Sequence, residues 1–349
     1  MTSAADAGRA YSRPVHQAVI LSAPRGAIEL REHDPGPPGA GEAQVAMEAC
    51  GVCHSDLMIA SFEQLPLAPL VIGHEGIGRV QAIGEGVTAV AVGDRVGVTF
   101  LASTCGSCEL CAAGLERFCA RQLQHGFTRH GAMGALVNVA AAQLVRVPPE
   151  LPAVAAAPLC CAGWTALGAV RAARLGAEQR MAIFGLGGVG HLAVQYARHL
   201  GIKVVAVDVS EAKLEQARAL GAELALPAAD AGRAISKTLG GVDAAIAFTP
   251  AAEALREALR SLKRRATLHL VGMADRARVE VPLNDAILRG ITVRGQYLGT
   301  RADLEDVFAM AAAGVALPHI EICAPGEVAG VLDRLRAGQV LGRAVVRFG

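Results

Sequence analysis

The stretch from Cys50 to Glu75 opens with Cys50-Gly51-Val52-Cys53-His54-Ser55-Asp56 and ends in Gly73-His74-Glu75-Gly76. Thiolate and imidazole bind Zn²⁺ at about 2.0–2.3 Å, which makes Cys53 and His74 suitable ligands. Two ligands do not close a site. The pair Cys160-Cys161, just ahead of Ala162-Gly163-Trp164-Thr165, is the candidate source of a third. Three protein ligands and a free fourth position describe a metal that does chemistry, acidifying an oxygen that enters the vacant corner.

A second cluster has another character. Cys105, Cys108, Cys111 and Cys119 are spaced C-x2-C-x2-C-x7-C, with Gly106, Ser107 and Gly114 allowing tight turns. Four thiolates around one cation leave no free position, which is the structural zinc arrangement. An iron–sulfur centre more often shows a last interval of three followed by proline. Here that interval is seven, and no Pro follows Cys119.

A third motif is Gly185-Leu186-Gly187-Gly188-Val189-Gly190, directly after the apolar run Met181–Phe184. A lone G-x-G-x-x-G is weak, but this one follows a strand pattern and opens a helical one. It also has an acid, Asp208, eighteen residues beyond its last glycine. That context predicts a dinucleotide site: Gly185 for the turn, Gly187 for approach to a pyrophosphate, Gly190 for helix–sheet packing. The helix N-terminus adds partial positive charge. Asp208 can bond both ribose hydroxyls and repels a 2′-phosphate, so NAD is expected over NADP.

The rest of the chain must position these groups. Its 349 residues suggest about two domains. With 52% hydrophobic residues and a net charge of +1, there is ample core and no electrostatic bias towards nucleic acid or anionic membrane. The nine cysteines read as metal ligands in a reducing compartment, so a cytoplasmic location is expected. The first fourteen residues lack an apolar stretch, and no signal peptide is expected. Leu151–Val170 is uncharged over twenty residues, but Pro152 and Pro158 break it, so it reads as a buried linker into a helix rather than a membrane span.

Up to residue 150 the pattern is β-rich: His16–Leu21, Glu42–Cys50, Val71-Ile72, Gly76–Ile83 and Asp94–Val98 read as strands, and the prolines of Glu32–Gly41 exclude helix. Beyond it, strands Met181–Phe184, Lys203–Val207, Glu223–Leu226, Val242–Phe248, Thr267–Val271 and Ile291–Val293 alternate with helices His191–Leu200, Glu211–Leu220 and Ala252–Leu262. Such alternation predicts an α/β fold with a doubly wound parallel sheet of six strands. Val271-Gly272-Met273, past a strand end, should lie beside the cofactor. Helix Leu304–Ala313 and strand Arg343–Phe348 complete the tail.

Cys53-His54-Ser55-Asp56, Gly73-His74-Glu75, the four-cysteine lobe, Cys161-Ala162-Gly163, Gly185–Gly190 and Leu341-Gly342-Arg343 occur in that order over nearly the whole chain. Together they resemble the zinc-containing medium-chain alcohol dehydrogenases. The resemblance implies a GroES-like catalytic domain, residues 1–156 and 298–349, with a structural zinc lobe at about 100–120. Residues 157–297 would form the Rossmann domain, with the active site in the cleft between the two.

The same resemblance assigns roles. Cys53, His74 and Cys161 would hold the catalytic zinc, Cys161 being chosen because it is the Cys of the Cys-Ala-Gly motif and Cys160 then being a buried neighbour. With the zinc of the four-cysteine lobe this makes two zinc ions per chain. Asp56 would fix the His74 tautomer, and Glu75 would either swing in as a transient ligand or form an ion pair nearby. Ser55 would take the alcohol proton and relay it to the cofactor ribose while the substrate carbon gives a hydride to the nicotinamide. Thr165, Val271, Met273 and Leu298 would lie along the nicotinamide end, His54 and Arg343 at the pyrophosphate with Gly185, Gly187, Gly188, Val189 and Gly190, and Asp208 with Lys213 at the adenosine ribose. Met58, Phe100, Trp164 and Met273 would wall the substrate pocket, with Phe62 less secure.

Two departures from the family pattern stand out. Met58 occupies the place where many relatives carry a His that passes the proton to solvent. The segment Gly131-Ala132-Met133-Gly134-Ala135-Leu136 replaces a more aromatic one. Phe100, where some short-alcohol enzymes have Trp, implies a roomier pocket. The expected activity is therefore NAD-dependent oxidation of longer aliphatic or aromatic primary alcohols, or of secondary alcohols, to aldehyde or ketone. A zinc polyol or aminoalcohol dehydrogenase and a non-catalytic NAD-binding protein are the alternatives. The expected partners are a small-molecule alcohol or aldehyde and further copies of the chain, as a homo-oligomer (tetramer or dimer), with no nucleic acid and no membrane.

Overall fold

The computed structural model describes residues 16–274 and 276–348; residues 1–14, where no signal peptide is expected, lie outside them. Strand Glu42–Val52 is the spine of the first half. It pairs antiparallel with Gly76–Ile83, with Leu136–Ala140 and with the final strand Arg343–Arg347, within a seven-stranded sheet. Its alternation of small and branched apolar residues suits a strand packed on both faces, and most of its positions are buried. The last strand of the chain thus pairs with a strand of the first half.

Register then places the chemistry. Cys50 pairs with Gly76, and Ala344 pairs with Val52. Cys53, His74, Glu75 and Arg343 therefore emerge at one end of three neighbouring strands. Strand order converts sequence distances of 21 and 269 residues from His74 to Cys53 and Arg343 into side-by-side neighbours.

The second sheet has six strands, all parallel: Leu224–Pro227, Lys203–Asp208, Arg180–Phe184, Val242–Ala247, Leu262–Leu270 and Thr292–Gly295 in spatial order. In chain order this is 3-2-1-4-5-6, the doubly wound nucleotide fold. The expected strands and helices are all present, with ends shifted by a few residues. The helices not legible in the sequence include His54–Ala60, Ala231–Leu239, Leu283–Arg289 and Val328–Arg336. Strands Ile28–Glu32, Leu136–Ala140 and Ile320–Cys323 and several of two or three residues were also missed.

The uncharged stretch folds as helix Ala153–Ala156, a 3-10 turn Ala157–Cys160 and helix Ala162–Ala172, the last buried along nearly its whole length. It fills the core between the two sheets. No single helix among the described residues is long and apolar enough to cross a membrane. Helix Arg301–Ala312 packs on it and starts at a capping box, in which Thr300 Oγ1 accepts the Asp303 N–H at 3.1 Å and Asp303 Oδ2 accepts the Thr300 N–H at 2.7 Å.

Candidate active site

Helix His54–Ala60 begins at Cys53, and Asp56 is the reason it begins there. Asp56 Oδ2 accepts the Cys53 backbone N–H at 2.8 Å, satisfying a donor that the helix start leaves orphaned. Its other oxygen lies 3.4 Å from His74 Nδ1, and both side chains are fully buried. One carboxylate thus aims the thiol by capping and the imidazole by charge. With Nδ1 turned to Asp56, Nε2 is the nitrogen left for a cation.

Cys53 Sγ, a His74 ring nitrogen, a Glu75 oxygen and Cys161 Sγ lie within 4.8 Å of one another. The His74 ring nitrogens are buried and make no hydrogen bond, an expensive state unless a ligand occupies Nε2. Two sulfurs and an unpartnered imidazole nitrogen, open to a cleft, fit a zinc ion with a free position. Cys161 is the sulfur that joins them, whereas Cys160 is fully buried with its thiol donating to the Gly76 carbonyl at 3.5 Å.

The electrostatics match that donor set. Cys161 donates to Cys53, which with His74 and Arg343 nearby holds the Cys53 thiol well below its ordinary value against the push of burial. Cys161, the donor of that bond and buried as well, is held up. Burial pulls the His74 ring down, but Asp56 and Cys53 outweigh it and the ring titrates above its usual range. A cation entering here displaces protons from Cys161 and His74.

The four-cysteine lobe fits a second ion closely. Its sulfurs are separated by 3.5 Å (Cys108–Cys111 and Cys119–Cys105), 3.8 Å (Cys105–Cys111) and 3.9 Å (Cys108–Cys119). A tetrahedron with 2.3 Å arms has edges of about 3.8 Å, while a disulfide needs about 2.05 Å. Backbone N–H groups of Ser107 and Cys108 point at Cys105 and lower its thiol to about 5.

One cleft of about 410 Å³ joins the first cluster to the glycine loop. Its lining includes Cys53, His54, Ser55, Met58, His74, Phe100, Cys161 and Thr165 together with Gly185, Gly187, Gly188, Val189, Asp208, Lys213, Val271, Met273, Leu298 and Arg343. Ser55 Oγ is 3.7 Å from Cys53 Sγ, and the Phe100 ring stands edge-on to His74 at 5.0 Å. Gly185 takes φ +91°, which L side chains rarely adopt, and a Cβ on Gly190 would strike the Gly185 carbonyl. A Cβ on Gly187 would meet nothing within 4 Å, so that face of the loop is open. Asp208 is fixed at its strand end: Oδ2 accepts the Leu186 N–H at 2.7 Å and Oδ1 the Ser210 N–H at 3.0 Å.

Glu75 makes the ion pair rather than facing the cleft. Arg343 Nη2 donates to both its oxygens, and burial pushes the Glu75 carboxyl up to about 8. A Cβ on Gly51 would overlap the Glu75 carboxylate, so glycine is required beside it. Trp164 is not a pocket wall. Its indole N–H needs an acceptor and finds the Thr300 carbonyl at 2.6 Å, which turns the ring into the core. Phe62 packs edge-on against Phe127 instead, outside the cleft lining.

Sequence reasoning missed Phe248, Thr249 and Pro250, and Gln296 and Tyr297, all of which line the cleft. They directly follow strands Val242–Ala247 and Thr292–Gly295. The rule that ligands to such sheets bind beyond strand C-termini was the available signal. The altered segment Gly131–Met133 backs the His74 turn, its N–H groups bonding to Val71, Gly73 and Ile72 carbonyls at 2.7, 3.0 and 2.9 Å.

A catalytic-type donor set and a dinucleotide loop facing one cleft define a two-domain oxidoreductase. Residues 39–149 match the family model of the alcohol dehydrogenase GroES-like domain, and residues 188–313 that of the zinc-binding dehydrogenase. An alcohol dehydrogenase of Geobacillus stearothermophilus is 37% identical over 336 residues, 95% of this chain and 99% of that protein. The alcohol dehydrogenase of Aeropyrum pernix superposes with TM-score 0.89 at 30% identity, covering 95% of this chain and 100% of the other. Acetophenone reductase of Geotrichum candidum NBRC 4597, in complex with NAD, superposes with TM-score 0.85 at 26% identity over 96% and 98% of the two chains. The chain belongs to the zinc-containing medium-chain alcohol dehydrogenase family.

Proposed function

We propose that the protein is an NAD-dependent alcohol dehydrogenase that interconverts longer aliphatic or aromatic primary alcohols, or secondary alcohols, with their carbonyl compounds. The observation that carries this reading is the shared cleft, in which the Cys53, His74 and Cys161 donors face the Gly185–Gly190 loop and Asp208. When bound, zinc supplies a Lewis acid that acidifies an alcohol hydroxyl, and NAD supplies the hydride acceptor.

The chain's own residues do the rest. Cys53, His74 and Cys161 hold the catalytic ion, and Asp56 keeps the His74 tautomer. Ser55, beside Cys53, would accept the alcohol proton, with the cofactor ribose as its next acceptor. With Met58 where a titratable relay would stand, no side chain at that position would carry the proton further, and water would take it. Asp208 and Lys213 would hold the adenosine ribose, and the N-terminus of helix Gly190–His199 would take the pyrophosphate. Thr165, Val271 and Leu298, which line the same cleft, would hold the nicotinamide. Phe100, Met58 and Met273 leave an apolar wall, in keeping with the aromatic ketone named for the acetophenone reductase relative.

Residues 1–156 with 298–349, and residues 157–297, are the two proposed domains, supported by which strands join which sheet. A homo-oligomer is supported by exposed Leu283, Ile287 and Leu288 beside strand Thr292–Gly295, whose outer edge pairs with no strand among the described residues. Nine free thiols accord with a reducing, cytoplasmic setting.

The test is a panel of alcohols with NAD and NADP, following absorbance of the reduced cofactor. Hexanol and benzyl alcohol should exceed ethanol in kcat/KM by about tenfold or more, since each buried methylene adds about 1–3 kcal/mol of discrimination. A preference for ethanol would overturn the substrate class; no turnover with any alcohol by zinc-replete protein would overturn the activity.

A further inference from the structure

Helix Gly190–His199 carries two polar side chains one turn apart, His191 and Gln195, and both reach the segment before strand Ile320–Cys323. His191 is only 2% exposed. Its Nδ1 lies 3.0 Å from the Gly187 carbonyl, and its Nε2 accepts the His319 backbone N–H at 3.2 Å. One neutral tautomer, protonated on Nδ1, satisfies both bonds. Gln195 behaves as a strand neighbour to Leu317, its Nε2 donating to the Leu317 carbonyl at 3.1 Å and its Oε1 accepting the Leu317 N–H at 3.2 Å.

The contacts close a ring. The His319 carbonyl accepts the Arg343 N–H at 2.8 Å. Arg343 Cδ and Nη1 lie 2.6 Å from where a Cβ on Gly188 would stand, so Arg343 rests against the loop. Gly187, His191, His319, Arg343 and Gly188 thus touch in sequence and return to the start. The planar trans peptide makes this consequential: anchoring the Gly187 carbonyl fixes the opposite direction of the Gly188 N–H. Gly188 lines the cleft. Gly187 and Gly188 have no side chains to hold that direction; the His191 backbone N–H, 3.2 Å from the Gly187 carbonyl, holds it together with the ring.

We propose that His191 and Gln195 are positioning residues for the dinucleotide, locking the Gly187-Gly188 peptide to the strand end that bears Arg343 before the cofactor arrives. Pre-setting the donors removes an ordering cost from binding. The inference rests on the NAD reading of the cleft and goes beyond it, because neither side chain lines the cleft.

The experiment is calorimetric titration of NADH and of ADP-ribose into zinc-replete wild-type, His191→Leu, His191→Gln and Gln195→Met proteins, with melting curves and steady-state kinetics. His191→Leu removes both side-chain bonds, leaving the backbone N–H of residue 191 on the Gly187 carbonyl, and should weaken NADH and ADP-ribose binding about tenfold or more. KM for NAD should rise in step while KM for the alcohol holds. His191→Gln offers an acceptor to His319 and should recover part of the affinity, and Gln195→Met should lose about threefold. If wild-type protein binds NADH and the variants bind it equally well while only melting lower, the lock is overturned and the residues are structural. If the wild-type protein binds no NADH, the functional reading falls and the lock with it. Should His191→Leu fail to fold, Gln195→Met, at a partly exposed position, decides alone.

Discussion

Arg343 donates through Nη2 to both carboxylate oxygens of Glu75, and both side chains are buried at the edge of the proposed zinc site. The charge of Arg343 is reinforced in this pair: burial opposes it, but Glu75 and the two thiols prevail and its titration moves further up. The same side chain rests on Gly188, so one guanidinium touches the metal end and the nucleotide end of the cleft. Removing one partner of a buried pair strands the other charge and costs about 3–5 kcal/mol. Arg343→Met should therefore lower stability by that order and weaken NADH binding. Glu75→Gln with Arg343→Met together should cost less than the two single changes summed. Denaturant melts of the four proteins measure the cycle.

Metal analysis separates the two clusters. Cys111→Ser should lose the ion of the lobe and lower the melting temperature, because four thiolates there take the place of a core. Cys161→Ser should lose the other ion and abolish alcohol oxidation while NADH still binds. Elemental analysis of wild-type protein should find two zinc ions per chain, and one in each variant.

Ser55→Ala should lower kcat/KM for alcohol about 10²- to 10³-fold, the range of a lost proton acceptor, with the Kd of NADH unmoved. A Met58→His variant should gain a new titration in its pH–rate profile. An unchanged profile would argue that no relay step is missing.

Asp208→Asn removes the charge that opposes a 2′-phosphate and keeps one oxygen, which can accept the Leu186 or the Ser210 N–H but not both. The kcat/KM ratio of NADP to NAD should rise about tenfold or more. Paired kinetics with both cofactors read this directly.

Acid should destabilise the protein through three buried histidines. His125, His191 and His269 are each lowered to about 4, chiefly by burial. Their folded values lie below the ordinary value of about 6.5, so the unfolded chain binds more protons between these limits. Their stabilisation is complete above about pH 6.5 and is lost as pH falls towards 4, by roughly 3 kcal/mol each. Urea melts between pH 7 and 4.5 should show the decline, and His125→Gln should flatten part of it.

Much of this site was legible in order along the chain. The lobe cysteines and the glycine loop lie within short windows, where spacing and turn chemistry fix the geometry locally. Asp208 was readable too, because strand–helix–strand length sets its distance from the loop. The seven-residue helix His54–Ala60 was not, since its start depends on one carboxylate turning back to the Cys53 N–H.

What the tertiary structure alone decided were partnerships across long separations. Glu75 could have been a ligand or an ion pair, and sheet register put Arg343, 268 residues away, against it. Trp164 could have faced the pocket, and the Thr300 carbonyl drew it into the core. The i, i+4 spacing of His191 and Gln195 shows one helix face, but not that the backbone of Leu317 and His319 lies on it. Local spacing fixes what a segment does by itself; which buried polar group satisfies which other is settled only when the strands pair and the layers close.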